Sequence, residues 1–115
     1  MDALWAGVPV LTRIGRSFAG RVAASLLRSI ELPELVTTNV QQYEDLAVEL
    51  ATNPTLLAEF KQRLATNRLT TPLFDSRSFV RHLESAYTTI FERYRAGLPP
   101  DHIYVAPGAA LNLLT

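Results

Sequence analysis

The chain has 115 residues, 48% of them hydrophobic and 19% charged. That is the length of one domain, with enough apolar content for one core. Eleven Lys+Arg balance eleven Asp+Glu, which argues against a dedicated nucleic-acid binder or a polybasic membrane-surface protein. There is no cysteine, hence no disulfide, thiolate zinc site or cysteine nucleophile. No apolar run approaches a membrane span, and no basic n-region with a long apolar stretch marks a signal peptide. The expected location is cytoplasmic. The apolar pattern begins at once, and Met1 to Gly7 reads as the end of a helix.

In chain order, Asp2 to Ala6 has helix-forming composition, closed by Gly7, a residue suited to the left-handed position after a helix. Val8 to Thr12 is a short apolar run of the kind that fills a buried parallel strand, with Pro9 near its start. After a loop over Arg13 to Arg16, Ser17 caps a helix reaching about Arg28, with Phe18, Val22, Ala23, Leu26 and Leu27 as its apolar face. At most a short second strand lies at Leu35 to Thr37. Asn39 caps the next helix, with Gln42 at the capping-box position and Tyr43, Leu46, Ala47 and Leu50 on one face. Asn53-Pro54 restarts a helix that runs to about Ala65, with Leu56, Leu57, Phe60 and Leu64 apolar. Thr70 to Phe74 is a loop. Asp75 then caps a long helix, Ser76 to Ala96, bearing Phe79, Val80, Leu83, Ala86, Tyr87, Ile90, Phe91 and Tyr94. Gly97 and Pro99-Pro100 end it. Asp101 to Thr115 carries weak signals and is expected to be partly disordered. The class is helix-rich α/β. One or two short parallel strands are too few for a self-standing sheet, so the sheet is expected to be larger than this chain supplies.

Few residues suggest chemistry. His82 sits within the last helix and His102 in the tail, and no histidine cluster or His-Glu-x-x-His spacing exists. Ser17, Ser25, Ser29, Ser76, Ser78 and Ser85 lie outside any nucleophile elbow, and Ser17 and Ser76 are helix-start residues. Gly15 to Gly20 is neither a P-loop nor a dinucleotide fingerprint. It places a helix N-terminus near Arg13, Arg16 and Arg21, which permits a phosphate contact; the plainer reading is a tight loop with solvated arginines. Asp2 is the sharpest candidate, because a carboxylate can accept hydrogen bonds from two neighbouring hydroxyls such as those of a ribose. The plainer reading there is a solvated, helix-dipole aspartate.

Five segments in this order and spacing carry a resemblance: Asp2 to Thr12 (DALWAGVPVLT), Phe18 to Ser25 (FAGRVAAS), Tyr43 to Ala47 (YEDLA), Pro72 to Asp75 (PLFD), and Glu92 to Gly97 (ERYRAG) followed by Pro100-Asp101-His102. Over residues 2 to 103 the chain resembles the C-terminal end of the O-GlcNAc transferase or SPINDLY-like family, the family 41 glycosyltransferases, and is most similar to bacterial members with tetratricopeptide repeats.

The resemblance implies a GT-B fold of two Rossmann-like lobes, with the nucleotide-sugar in the cleft and the C-terminal lobe holding the nucleotide. It implies inverting, metal-independent transfer of a sugar, commonly GlcNAc from UDP-GlcNAc, to protein Ser or Thr hydroxyls. In the family a His-Thr-Thr-x-x-Asp segment precedes the Leu-Trp-Ala-Gly run, and its aspartate holds the ribose. Only that aspartate maps here, onto Asp2. No catalytic residue, metal ligand or cofactor is assigned, and Arg13 and Arg16 receive no nucleotide role. The implied division is residues 1–75, the C-terminal part of the nucleotide-binding lobe; 76–97, a helix that crosses back to the N-terminal lobe; and 98–115, a tail.

The expectation is a fragment of a transferase, without activity and with weak or no UDP binding by itself. The nucleotide-sugar, the protein acceptor, the N-terminal lobe and the tetratricopeptide repeats would be partners of the parent enzyme, with neither nucleic acid nor membrane among them. Exposed helix faces would favour a homo-oligomer. The alternative is a small helical interaction or dimerisation module derived from the transferase end.

Overall fold

The computed structural model describes residues 1–107, so the expectation for the end of the tail, residues 108–115, lies outside the described residues. Two compact units are present, Met1–Phe74 and a second beginning at Asp75. In the first, the order is α1 (Asp2–Trp5), β1 (Thr12–Arg13), α2 (Phe18–Ser29), a 3-10 turn at Pro33–Leu35, β2 (Val36–Thr37), α3 (Val40–Thr52), α4 (Pro54–Thr70) and a 3-10 turn at Pro72–Phe74. The second contains α5 (Ser76–Arg95).

The helix starts follow from side-chain caps. Ser17 Oγ accepts from the Gly20 amide, Asn39 Oδ1 from Gln42, Asn53 Oδ1 from Leu56 and Asp75 Oδ1 from Ser78. Each satisfies an amide that the helix itself leaves unpaired. Gln42 departs from the expected capping box: its Oε1 accepts from the amide and hydroxyl of Thr38, one residue before the cap, at 3.1 and 2.8 Å. Gly7 and Gly97 hold φ of +86° and +71° after α1 and α5, the left-handed stops that their positions predict.

The two strands pair in parallel, Thr12 with Val36 and Arg13 with Thr37, and buried Thr37 donates its hydroxyl to Thr12 O at 2.8 Å. The expected strand over Val8 to Thr12 is therefore corrected to two residues, Thr12 and Arg13. The first residues of that run, Val8 to Leu11, have no ladder partner, and β2 is itself only two residues long. A second correction concerns α4, which continues five residues past Ala65 to Thr70. Nothing in Thr66 to Thr70 breaks a helix, and the stop is Pro72, which disfavours helix at Thr71.

The core is formed by Leu4, Leu27, Ile30, Leu32, Leu35, Phe60 and Leu64, with Val10, Leu46, Leu50 and Leu56 packed around it. The expected apolar face of α2 is shifted. Leu27 and Ala24 are buried, whereas Phe18 is 80% exposed and Val22 lies at the surface. Arginine and asparagine from α4 close the far edge of this core. Asn67 Nδ2 donates to Ile30 O at 2.9 Å, and Arg63 Nη2 to Glu31 O at 3.1 Å, with Arg63 also 3.0 Å from the Glu34 carboxylate. These bonds hold Glu31 at φ 59°, a left-handed conformation uncommon outside glycine.

In the second unit, α5 buries no residue, and Val80, Leu83, Tyr87, Ile90 and Tyr94 recur at alternating spacings of three and four along one exposed face. After Gly97 the chain is tied back by Arg93, whose Nη2 donates to Pro99 O at 2.9 Å. No helix among the described residues is long and apolar enough to cross a membrane.

This core predicts unequal costs on truncation. Leu64→Ala should destabilise the chain by about 2–5 kcal/mol, the range for a buried leucine. Phe18→Ala should change stability by less than about 0.5 kcal/mol. Urea unfolding of the two variants measures both.

Candidate nucleotide-binding turn

Asp2 opens a helix of only four residues. Isolated helices that short do not persist in water, so tertiary contacts must fix α1. Leu4, on the inner face, is 2% exposed and belongs to the core. Trp5, on the outer side, meets Phe74 edge-on, with ring centroids 5.0 Å apart and planes at 64°. The Arg68 guanidinium, from the last turn of α4, lies 5.2 Å from the centre of the Trp5 ring.

The backbone of the turn is closed in sequence. The amides of Trp5, Ala6, Val8 and Gly7 take the carbonyls of Met1, Asp2, Ala3 and Leu4 at 3.0, 2.9, 2.8 and 3.2 Å respectively. The next carbonyl, that of Trp5, accepts from Arg68 Nη1 at 2.6 Å. The Asp2 carboxylate is thus carried on a turn anchored from both sides while itself exposed, and among the described residues it has no hydrogen-bond or ion-pair partner. An exposed carboxylate on a fixed backbone can accept two hydroxyl hydrogen bonds.

Other candidates are placed apart from this turn. Ser17 caps α2. In the Gly15 to Gly20 loop the Gly15 amide donates to Gly20 O at 2.9 Å, and a Cβ on Gly20 would fall 3.1 Å from Gly15 Cα. That loop is a close backbone contact, and Arg13, Arg16 and Arg21 are exposed. His82 lies mid-helix in α5 and His102 is exposed in the segment after it. Among the described residues no group of three potential ligands could hold a metal ion. Arg68 and Phe74 escape the sequence reading. Their partner is Trp5, 63 residues from Arg68, and the only signal is the Trp5 ring itself, apolar yet next to a buried leucine.

Comparison with known proteins places this turn in a family. The model of glycosyl transferase family 41 matches residues 1–83. The chain belongs to this family. A UDP-N-acetylglucosamine–peptide N-acetylglucosaminyltransferase of Caenorhabditis elegans is 37% identical over 103 residues, 90% of this chain and 9% of that protein. A probable enzyme of the same name, SEC, from Arabidopsis thaliana is 37% identical over 105 residues, 90% of this chain and 11% of that protein. A Thermobaculum terrenum O-GlcNAc transferase, the K341M mutant, superposes with a TM-score of 0.77 at 35% identity, over 84% of this chain and 18% of that chain. The fold is therefore that of part of a Rossmann-like GT-B lobe, helix-rich with two short parallel strands and a long last helix. The chain spans about a tenth of the length of the curated relatives that it matches.

Because the Asp2 carboxylate contributes nothing to packing, Asp2→Asn should change unfolding free energy by less than about 1 kcal/mol, the scale of a helix-dipole charge. A loss of several kcal/mol in urea unfolding would instead make Asp2 structural.

Proposed function

We propose that this chain supplies the ribose-holding part of the nucleotide site in a glycosyltransferase that moves a sugar, GlcNAc from UDP-GlcNAc, to Ser or Thr hydroxyls of proteins. The observation that carries this reading is the family match over residues 1–83 together with an exposed Asp2 on a doubly anchored turn. Asp2 accepts from the 2′ and 3′ hydroxyls of the uridine ribose. These bonds are charge-assisted, each worth roughly 1.5–3 kcal/mol when well formed, and less at an exposed site.

Holding the ribose orients the nucleotide but does not by itself make a transferase. Inverting transfer also needs donors aimed at the diphosphate as it leaves and a path for the acceptor hydroxyl's proton. In this proposal those groups belong to the rest of the enzyme, which works without a metal ion. The exposed seam of α5 then serves the same polypeptide: it crosses to the N-terminal lobe and helps set the angle between lobes.

A second reading rests on that same seam, whose five apolar residues are all surface-exposed. It makes the chain a small helical interaction module that pairs with another protein. The two differ in the size of the natural polypeptide. An antibody raised against this chain should detect a band several-fold heavier than 12.8 kDa in cell extract; a band at the chain's own mass supports the module.

The isolated chain should transfer no sugar from UDP-GlcNAc to a peptide and should bind UDP only weakly. Calorimetric titration giving micromolar affinity would contradict the weak-binding part.

A further inference from the structure

Arg68 makes three unusual commitments. Its Nη1 donates to Trp5 O at 2.6 Å, its guanidinium lies over the Trp5 ring at 5.2 Å, and its Nε is buried without an acceptor among the described residues. A buried unpaired N–H is a cost that stable packing normally avoids. Here a cation sits at the C-terminal end of a helix, where it is favoured, and takes the one carbonyl that follows the four closed by backbone amides. In effect Arg68 supplies the donor for the carbonyl of the last residue of α1, since the residue four further on, Pro9, has no N–H to give. It also presses Trp5 from one side, while Phe74 meets the same ring edge-on.

We propose that Arg68 is a positioning residue for the nucleotide: it fixes the direction of α1 and so the place where the Asp2 carboxylate meets the ribose hydroxyls. The inference rests on the ribose-holding reading of Asp2. The physical reason is leverage. Asp2 and Trp5 are the two ends of one helical turn, and its other anchors, Leu4 in the core and the Trp5–Phe74 edge contact, are apolar contacts without the direction of a hydrogen bond. A guanidinium hydrogen-bonded to the Trp5 carbonyl and lying over the Trp5 ring supplies that direction. Lysine reaches the carbonyl but offers no planar face for the ring.

The test separates positioning from general stability. NMR titration of the full chain with UDP and with 2′-deoxy-UDP gives two weak affinities whose ratio reports the hydroxyl that Asp2 accepts. In the unsubstituted chain UDP should bind several-fold more tightly, up to about tenfold for a charge-assisted bond. Asp2→Asn should bring the ratio close to one. Arg68→Met should also bring it close to one, by weakening UDP more than 2′-deoxy-UDP, which has only the 3′ hydroxyl bond to lose. Arg68→Lys, the milder variant should Arg68→Met unfold, should give an intermediate ratio.

Equal weakening of both nucleotides by the Arg68 variants would make Arg68 merely structural and overturn the proposal. So would an unchanged ratio in those variants when Asp2→Asn abolishes it. A ratio of one in the unsubstituted chain, or a ratio insensitive to Asp2→Asn, would overturn the ribose reading itself.

Discussion

A single helical turn cannot hold itself, and the functional proposal depends on how this one is held. The cost of nucleating a helix exceeds what one turn of hydrogen bonds returns. The α1 turn therefore takes its geometry from the residues around it. Leu4 enters the core, Trp5 is met by Phe74 and Arg68, and the Trp5 carbonyl receives the Arg68 guanidinium. The exposed carboxylate at the other end of the turn inherits its position from these contacts.

The remainder of Met1–Phe74 can be read as what keeps Arg68 and Phe74 in place. Arg68 lies in the last turn of α4 and Phe74 in the 3-10 turn that follows it; α4 is fixed to the core by Phe60 and Leu64 and to the α2–β2 connection by Arg63 and Asn67. Apart from the Arg63–Glu34 ion pair, these polar bonds from α4 go to backbone carbonyls, those of Ile30, Glu31 and Trp5. Carbonyls are present whatever side chain a position carries, so these contacts constrain the path of the chain more than its composition. The proposed site would place one chemical group on a short turn and its supports on a long helix.

How much of this was legible beforehand depended on the range of each interaction. The caps at Ser17, Asn39, Asn53 and Asp75 and the left-handed glycines Gly7 and Gly97 are local, and residue type at fixed spacing identified them. The apolar run Val8 to Thr12 looked like a full strand, but a strand needs a partner, and β2 offers two residues. The end of α4 is set locally by Pro72, but the roles of Asn67 and Arg68 are not: both look like ordinary surface residues until their acceptors, 37 and 63 residues away, are known. Phe18 matched the helical period of α2 and still faces outward, since periodicity says which residues share a face and not which face a core covers. Asp2 was singled out by residue type and by resemblance to a family; composition alone left it an ordinary aspartate.

The central claim is that α1 is fixed by the core rather than by its own hydrogen bonds. Amide hydrogen exchange at Ala6 and Val8, whose N–H groups donate to Asp2 O and Ala3 O, tests this most directly. If Leu4, Trp5 and Arg68 anchor the turn, these amides are protected and open together with amides of α4 near Leu64, as one cooperative unit. Exchange at the rate of an unstructured peptide, while α4 stays protected, would contradict the account.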